Sequence, residues 1–233
     1  MVGVILQPNY IPWRGYFDLI NRADLFVFFD DVQYTERDWR SRNILRHAKG
    51  PQWITVPVIT KGLRGQLIKD ARIDNSIPWR DKHWAMLKHC YSKAKYFKCY
   101  RSMFEDIYSR SWDSICDLDI EVTITLCKLL SINHTQYVRS STLVDIEGIK
   151  TERLVNICKK LGIKTYVSGP SGSNYIEKDL FYRNDINLIY HEYDHLPYKQ
   201  LHEPFDPMVT VLDLLFNCGP NAHYYIWRKK GNE

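Results

Sequence analysis

The sequence lacks a long hydrophobic run, a cysteine pair and a block of like charge. A run of about 18 apolar residues, the length needed to cross a membrane, does not occur. The start MVGVILQPNY has no basic segment of the kind that opens a signal peptide. The basic tail Arg228–Lys230 is short, and we expect it to be solvated. These absences predict a cytoplasmic protein with no membrane insertion.

The six cysteines contain no CxxC pair, so the sequence does not support a Cys-based zinc site. Most of them lie among apolar residues, where buried and reduced cysteine is common, and none has an evident activating neighbour. We therefore expect neither a cysteine-based metal site nor a covalent cysteine intermediate. The cysteines are Cys90, Cys99, Cys116, Cys127, Cys158 and Cys218.

The sequence contains enough apolar and aromatic residues to form one large core. The chain has 233 residues, of which 45% are hydrophobic, and this length favours a single domain over residues 1–233. Aromatic residues make up 14%, and many stand beside Asp, Arg, Asn or Gln, a pattern that suits the walls of a polar pocket. The net charge of +5 is compatible with an anionic substrate or with nucleic acid.

The first 30 residues predict a parallel strand–helix–strand unit. Val2–Leu6 and Leu25–Phe29 are buried strands, and Gly15–Arg22 between them has helical apolar spacing. Two apolar strands joined through a helix are typical of parallel sheets, which carry their sites at the carboxyl ends of the strands.

The rest of the chain continues this rhythm after a helical interruption, so the predicted fold is α/β, a mostly parallel Rossmann-like sheet with a helical insertion at about residues 78–131. Thr151 is the expected N-cap and Gly162 the expected C-terminal stop of one later helix. The predicted strands are Trp53–Val58, Gln136–Val138, Thr165–Ser168 and Asn187–Tyr190. The predicted helices are Pro78–Tyr91, Tyr96–Tyr108, Trp112–Leu130, Glu152–Leu161, one starting near Tyr175, and Val209–Asn217.

The loop after the first strand is the first candidate site. It carries polar and aromatic side chains directly before a helix, whose free N–H groups favour phosphate or carboxylate. Arg14 would add a forked, charge-assisted contact. The candidate ligand-binding residues here are Gln7, Asn9, Tyr10, Trp13 and Arg14.

The segment after the second strand ends on two carboxylates, Asp30 and Asp31. They share the sheet edge with the first loop, where they could hold an ammonium, bind sugar hydroxyls or act as a general base, and a Mg²⁺ role is also open. Either could instead cap a turn. The binding candidates that follow are Gln33, Tyr34, Arg40, Arg42 and Asn43, with the two arginines as phosphate partners.

Two later motifs add candidates. The small residues of SGPSGSNY permit close backbone approach to an anion, with Ser168, Ser171 and Tyr175 as its binding side chains. The segment YKQLH offers Tyr198 and Gln200 for binding and His202 as a base that titrates near neutral pH.

The letters HEYDH at His191–His195 match a zinc motif that requires a helix. Because this segment leaves a strand and meets Pro197 at once, we interpret the match as chance. Asp213 and Asn217, one turn apart on the last predicted helix, are expected to support the site from behind.

These motifs resemble the WbqC-like protein family over nearly the whole chain. The amino-terminal stretch QPNYIPWRGYFDLINRADLFVFFDDVQYTERDWRSRN resembles the family's signature, and His47–Pro51 is a hairpin-type variation on it. Further resemblance lies in HW…Y, GIKTERLVNICKKLG, YVSGPSGSNYI, PYKQ and FDPMVTVLDLLFNCGP. The resemblance implies a cytoplasmic protein of O-antigen or other surface-polysaccharide (lipopolysaccharide) biosynthesis, and a glycine transferase that modifies an amino sugar.

The candidate residues are compatible with that chemistry and leave two alternatives open. The acceptor would be a nucleotide-linked amino sugar, and the activated donor a carrier-protein thioester, an aminoacyl-tRNA or an adenylate. The first alternative is a HIGH-type nucleotidyl-transfer enzyme that uses ATP and Mg²⁺, although its paired histidines are missing from PNYIPWRGY. The second is a non-catalytic module that binds a nucleotide sugar or RNA.

Overall fold

The computed structural model describes residues 1–227, so the basic tail Arg228–Lys230 lies outside the described residues. The strands are β1 (Val2–Leu6), β2 (Leu25–Phe28), β3 (Arg42–His47), β4 (Gly50–Thr55), β5 (Gln136–Arg139), β6 (Thr165–Ser168) and β7 (Asn187–Tyr190). The α-helices are α1 (Arg14–Asn21), α2 (Trp79–Tyr91), α3 (Phe97–Ser109), α4 (Ile115–Leu129), α5 (Lys150–Leu161), α6 (Lys178–Tyr182), α7 (Val211–Cys218) and α8 (Tyr224–Trp227).

The main sheet has the strand order β5–β2–β1–β6–β7, and each neighbouring pair is parallel. The predicted α/β class and mostly parallel sheet are therefore confirmed. The chain runs outward from β1 through β2 to β5 and then returns to the other side of β1. This reversal between β1 and β6 is the switch point at which ligands bind in open α/β sheets.

Two apolar clusters cover the two faces of the sheet. Phe26 and Phe28 of β2 pack with residues of α1, α4 and α7 on one face. Val27 of the same strand packs on the other face with residues of α5 and α6. The alternation along β2 shows why its sequence is apolar throughout: both of its faces are buried.

The helical middle of the chain is observed as α2, α3 and α4, at the predicted positions to within a few residues. Within residues 1–227, no helix combines the length and the apolarity needed to cross a membrane.

Several predicted elements differ from the structure. The predicted strand Trp53–Val58 is β4, which ends at Thr55, and the sequence did not predict its antiparallel partner β3.

The ends of the later helices also differ from the prediction. Thr151 is not the N-cap of α5: that position is Ile149, and the Thr151 hydroxyl accepts a hydrogen bond from the Glu177 N–H at 3.2 Å. The helix expected near Tyr175 is a short 3₁₀ turn, Pro170–Asn174, followed by α6. Gly162 ends α5 with a left-handed φ of 70°, as predicted.

The loop after β1 contains a strained residue that its neighbours hold in place. Ile11 is buried and has a φ of 38°, a conformation that a β-branched residue rarely adopts. Its carbonyl accepts hydrogen bonds from Asn43 Nδ2 at 2.9 Å and from the Thr210 hydroxyl at 2.6 Å. The strain costs about 1–3 kcal/mol, and these two contacts from β3 and the start of α7 offset it.

An ion-pair network fastens the carboxyl ends of β2 and β5. Asp30 is fully buried and accepts hydrogen bonds from Arg139 Nε at 2.7 Å and from the Ser141 N–H at 2.9 Å. Arg139 also pairs with the exposed Asp117 of α4 at 2.7 Å. Burial by itself would raise the pKa of Asp30, but the contacts from Arg139 and Ser141 outweigh it and hold that pKa below its ordinary value.

Replacing Asp30 by Ala should lower the free energy of unfolding by about 3 kcal/mol, because Arg139 Nε and the Ser141 N–H both lose a charged hydrogen-bond acceptor. Asp117→Ala removes an exposed partner of the same arginine and should cost less than about 1 kcal/mol. Because the folded-state pKa of Asp30 is depressed, its contribution is present above the unfolded value of about 3.9 and is lost as the pH falls below it. Denaturation curves of Asp30→Ala and wild type should therefore converge in acid; a gap that stays constant would contradict this assignment.

Candidate functional site

A pocket opens at the switch point of the sheet, between the ends of β1 and β6. Its volume is about 510 Å³, within the usual range for a small-molecule site. The loop after β1, the loop after β6, one side of α1 and the first turn of α5 form its walls. The predicted site residues that line it are Gln7, Asn9, Trp13, Arg40, Ser171 and Tyr175.

Three of these side chains present polar atoms without partners in residues 1–227. Gln7 Oε1, Asn9 Oδ1 and Arg40 Nε are buried and make no hydrogen bond there. Arg40 has one partner at its other end, where Nη1 lies 2.5 Å from Asp38 Oδ2. Since buried polar groups in folded proteins are nearly always paired, this concentration of open hydrogen-bonding capacity in one pocket favours a polar ligand.

A second basic side chain and the N-terminal ends of two helices also lie at the pocket. Lys150 is the first residue of α5, has a φ of 50° and lines the pocket beside Leu154. Trp13, the N-cap of α1, forms part of the wall, and no side chain caps the free N–H groups of α1 or of α5. Uncapped helix starts beside Arg40 and Lys150 create a positive potential suited to phosphate.

The indole of Trp13 is fixed by contacts with two other aromatic rings. It stacks on the His195 ring at 5.3 Å between centroids and meets the Tyr193 ring edge-on at 5.2 Å. Gly15 permits this position, because a Cβ added there would lie 2.1 Å from an atom of the indole. The wall of the pocket thus depends on a glycine in the first turn of α1.

Several predicted binding residues stabilise the loops and lie outside the pocket lining. Tyr10 is fully buried, and its hydroxyl lies 2.9 Å from His83 Nδ1 and 2.6 Å from the Tyr108 hydroxyl. The Asn43 amide donates to the carbonyls of Tyr10 and Ile11. The buried Ser168 hydroxyl donates to the Gly169 carbonyl at 3.1 Å.

The predicted residues at the ends of β2 and β3 also have other contacts. Tyr34 is buried, and the exposed Gln33 pairs with Leu67 in an isolated bridge. The Arg42 guanidinium lies 4.3 Å from the centroid of the Trp53 ring.

Arg14 lies in a buried cluster behind the pocket wall. Its Nη1 donates to the Leu196 carbonyl at 2.6 Å, and its guanidinium lies 5.4 Å from the Tyr198 ring and 5.6 Å from the Phe205 ring. The Tyr198 hydroxyl donates to Asp213 at 2.7 Å.

The same cluster includes Gln200 and Asn217. Gln200 bonds to the backbone of Asp206 in both directions, and Asn217 Nδ2 donates to Asp213 Oδ1 at 3.2 Å, which is the contact expected from their spacing. Burial raises the pKa of Asp213 to about 6, although the hydrogen bond from Tyr198 lowers it in part. Arg14, Tyr198 and Gln200 therefore join the chain's late loop to α1 and α7.

The two candidate carboxylates differ in their surroundings. Asp30 is closed off by Arg139, Ser140 and Ser141, so its oxygens are occupied within the fold. Asp31 is partly exposed, accepts from the Ser140 hydroxyl at 2.6 Å and pairs with Arg153 of α5. Neither carboxylate lines the pocket; Asp31 is joined through Arg153 to α5, the helix whose Lys150 and Leu154 do line it.

The candidate base His202 lies in another part of the molecule. Its Nε2 is 3.3 Å from the Cys90 carbonyl, and its ring is 6.1 Å from that of His47, which in turn contacts His89. The pocket lining does not include it.

The HEYDH segment lies in a stretch without helix, as predicted. His191 Nε2 is 2.6 Å from the buried Asp18 carboxylate, while His195 stacks on Trp13. The two histidines therefore do not share a helical face.

Burial of the thiols argues against cysteine nucleophiles. It raises the pKa of Cys90 to about 11 and those of Cys127, Cys158 and Cys218 to about 12, and it also raises the pKa of Cys116. These five raised pKa values favour the thiol over the thiolate at neutral pH. The sixth cysteine, Cys99, is exposed on α3, and the pocket lining does not include it.

The sequence interpretation missed several residues of the pocket lining, among them the polar Lys150 and the aromatic Trp39. Lys150 stands two residues after Gly148, whose φ of 88° favours glycine. The glycine indicated a turn in the sequence, but nothing there showed that Lys150 would line the pocket. The sequence interpretation also missed Asp119 of α4, which is fully buried and has no partner for either carboxyl oxygen within residues 1–227. Burial raises the pKa of Asp119 well above its ordinary value, and the Arg40 charge counteracts this in part.

Gly15→Ala should destabilise the protein by about 1–3 kcal/mol, because the added methyl overpacks against the Trp13 indole. In a Trp13→Ala background the same change should be neutral or stabilising by up to about 1 kcal/mol, since alanine is the better helix former. Urea unfolding of the four proteins of this double-mutant cycle measures both effects. An equal penalty in the two backgrounds would show that the indole is not what excludes a side chain at position 15.

Comparison with known proteins agrees with the motifs. The WbqC-like protein family matches residues 7–225. The chain is also 41% identical over 224 residues to "Uncharacterized protein Rv1507c" of Mycobacterium tuberculosis, a match that covers 95% of this chain and 96% of that protein. No solved structure matches. With a match to the family over almost its entire length and an equally long relative, the chain belongs to the WbqC-like protein family.

Proposed function

We propose that this protein is a cytoplasmic transferase that binds a nucleotide-linked amino sugar in the switch-point pocket. It moves a glycyl or other acyl group from an activated donor onto the sugar amine, in the synthesis of a surface polysaccharide such as O-antigen. The observation that carries the proposal is the convergence of Arg40 and Lys150 with the open amides of Gln7 and Asn9 in one pocket.

Each part of such a ligand has a counterpart in the pocket. The phosphates bind between Arg40 and Lys150, at the uncapped starts of α1 and α5. The amide groups of Gln7 and Asn9 bind sugar hydroxyls, because amides can donate and accept at the same time. The Trp13 indole gives the flat apolar wall against which a sugar ring packs.

The transfer step requires an amine nucleophile and a place for its proton. The nitrogen lone pair attacks the acyl carbon of the donor, a C–N bond forms, and the bond from that carbon to the donor's sulfur or oxygen breaks. The proton lost by the amine ends on the leaving thiol or hydroxyl. We assign Asp31, which is partly exposed and pairs with Arg153 of α5, the role of holding the sugar ammonium and accepting its first proton, which leaves the neutral amine free to attack.

The donor in this scheme is a carrier-protein thioester or an aminoacyl-tRNA, which brings its activation with it. An adenylate made by the protein itself would instead need ATP and Mg²⁺, as in the nucleotidyl-transfer alternative. Release of pyrophosphate from ATP in the presence of the acyl group alone distinguishes that alternative from direct transfer.

Arg40→Gln should weaken the binding of UDP and of inorganic pyrophosphate by roughly ten- to a hundred-fold, the usual loss for a charge-assisted hydrogen bond to a ligand. Arg101→Gln is the matched control, because Arg101 is an exposed arginine of α3 that pairs with Glu105. Isothermal titration calorimetry at fixed salt measures both. Unchanged affinity in Arg40→Gln would remove the phosphate site from this pocket.

Asp31→Asn should reduce transfer by about 10²–10⁴-fold, the usual contribution of a general base, while UDP affinity stays within a few-fold. The assay is mass spectrometry of UDP- and dTDP-linked amino sugars incubated with glycyl-pantetheine or with glycyl-tRNA. Asp117→Asn, an exposed carboxylate of α4, is the control and should keep wild-type rates. Wild-type turnover in Asp31→Asn would exclude this residue as the base.

A further inference from the structure

Two tryptophans stand exposed at the mouth of the pocket. Trp39 is 41% exposed and Trp53 is 43% exposed, and their ring centroids lie 5.7 Å apart at an angle of 30°. Trp39 also lines the pocket, so the pair continues the pocket wall outward onto the β3–β4 hairpin. Large aromatic rings left in water beside a pocket mark a surface that a ligand covers.

One contact to the backbone of Trp39 and one to the ring of Trp53 hold the pair in position. The Trp39 carbonyl accepts a hydrogen bond from the Tyr10 N–H at 2.9 Å, which ties it to the loop after β1. The Arg42 guanidinium lies 4.3 Å from the centroid of the Trp53 ring, a cation–π contact that covers part of this indole. A fixed aromatic surface loses little entropy when a flat ligand stacks on it.

The position of this surface relative to the proposed phosphate site limits what can occupy it. Trp39 and Arg40 are consecutive residues, and their Cα atoms are therefore only about 3.8 Å apart. Because both side chains line the same pocket of about 510 Å³, one small ligand can place a phosphate on Arg40 and a flat ring on Trp39 through a short linker. A nucleoside diphosphate has this form, with its base one ribose away from the phosphates.

The fully buried Tyr10, a stacking candidate from the sequence, has no free face for a base. Trp13 forms the inner wall of the pocket, packed against His195 and Tyr193. Tyr175 also lines the pocket and is 65% exposed, but Trp39 and Trp53 differ from it in presenting two rings side by side.

We infer that Trp39 and Trp53 form a stacking subsite for the nucleobase of a nucleoside diphosphate whose phosphates bind at Arg40 and Lys150. The inference rests on the proposed function and adds the part of the ligand that the outer surface recognises. Stacking on an indole tolerates any base, so the subsite selects for a nucleotide over a bare phosphate and discriminates weakly between bases.

The experiment compares UDP, ADP and inorganic pyrophosphate by isothermal titration calorimetry with wild type, Trp39→Ala and Trp53→Ala. Each variant should lose roughly tenfold in affinity for both nucleotides, the usual size of a base–aromatic contact, with pyrophosphate affinity unchanged. Trp39→Phe keeps a ring and should recover most of the loss. Tyr182→Ala is the control, because Tyr182 is 83% exposed and ends α6 just before β7, at the opposite edge of the sheet.

The outcomes separate this inference from the proposed function. Equal losses for nucleotides and pyrophosphate, or no loss at all, would overturn the stacking subsite while the Arg40 result for pyrophosphate still supports the pocket. A wild-type protein that binds none of the three ligands overturns both. A single-stranded RNA that binds more tightly than UDP, and loses affinity in Trp39→Ala, would overturn the nucleotide assignment in favour of RNA.

Discussion

The fold and the site both depend on the parallel pairing of β1 with a neighbour on each side, β2 on one and β6 on the other. The connection to β2 passes over one face of the sheet through α1, whereas the connection to β6 arrives from the other face through α5. Because the two helices diverge, neither covers the carboxyl ends of β1 and β6. The crevice they leave is the pocket, and its residues come from the segments that adjoin these two strands and two helices.

The basic side chains near this edge divide according to whether they line the pocket: Arg40 does, whereas Arg14, Arg139 and Arg153 do not. Arg139 and Arg153 are paired with Asp30 and Asp31, and Arg14 is enclosed by aromatic rings and backbone carbonyls. Arg40 keeps an unpartnered Nε within residues 1–227. Arg40 also pairs with Asp38, and buried nitrogens of Arg14 and Arg153 lack partners within the same residues. What distinguishes Arg40 is that its open nitrogen belongs to a side chain of the pocket lining.

The sheet was predictable because its strands are short apolar runs between clear turn signals. β3 was missed because polar residues hide its pattern: Asn43 occupies a buried strand position, where its amide holds the carbonyls of Tyr10 and Ile11. The strand assigned to Trp53–Val58 was shifted because Val56 and Val58 continue the apolar alternation beyond Thr55, where β4 ends. Local periodicity cannot reveal a buried polar residue whose hydrogen-bond partners, like those of Asn43, lie far away in the chain.

Sequence alone determined the parallel α/β class and the family resemblance, since these follow from local periodicity and motifs, and it predicted a site at the carboxyl ends of the strands. It also provided six residues of the pocket, among them Gln7, Asn9 and Arg40. Only the tertiary structure decided which polar residues face that pocket. Arg14 and Arg40 look alike in the sequence, yet Arg14 is buried at the start of α1 and Arg40 lines the crevice. The physical reason is that a side chain's role depends on its partners, and these come from segments far away in the chain: Leu196 for Arg14, Arg139 for Asp30 and Arg153 for Asp31.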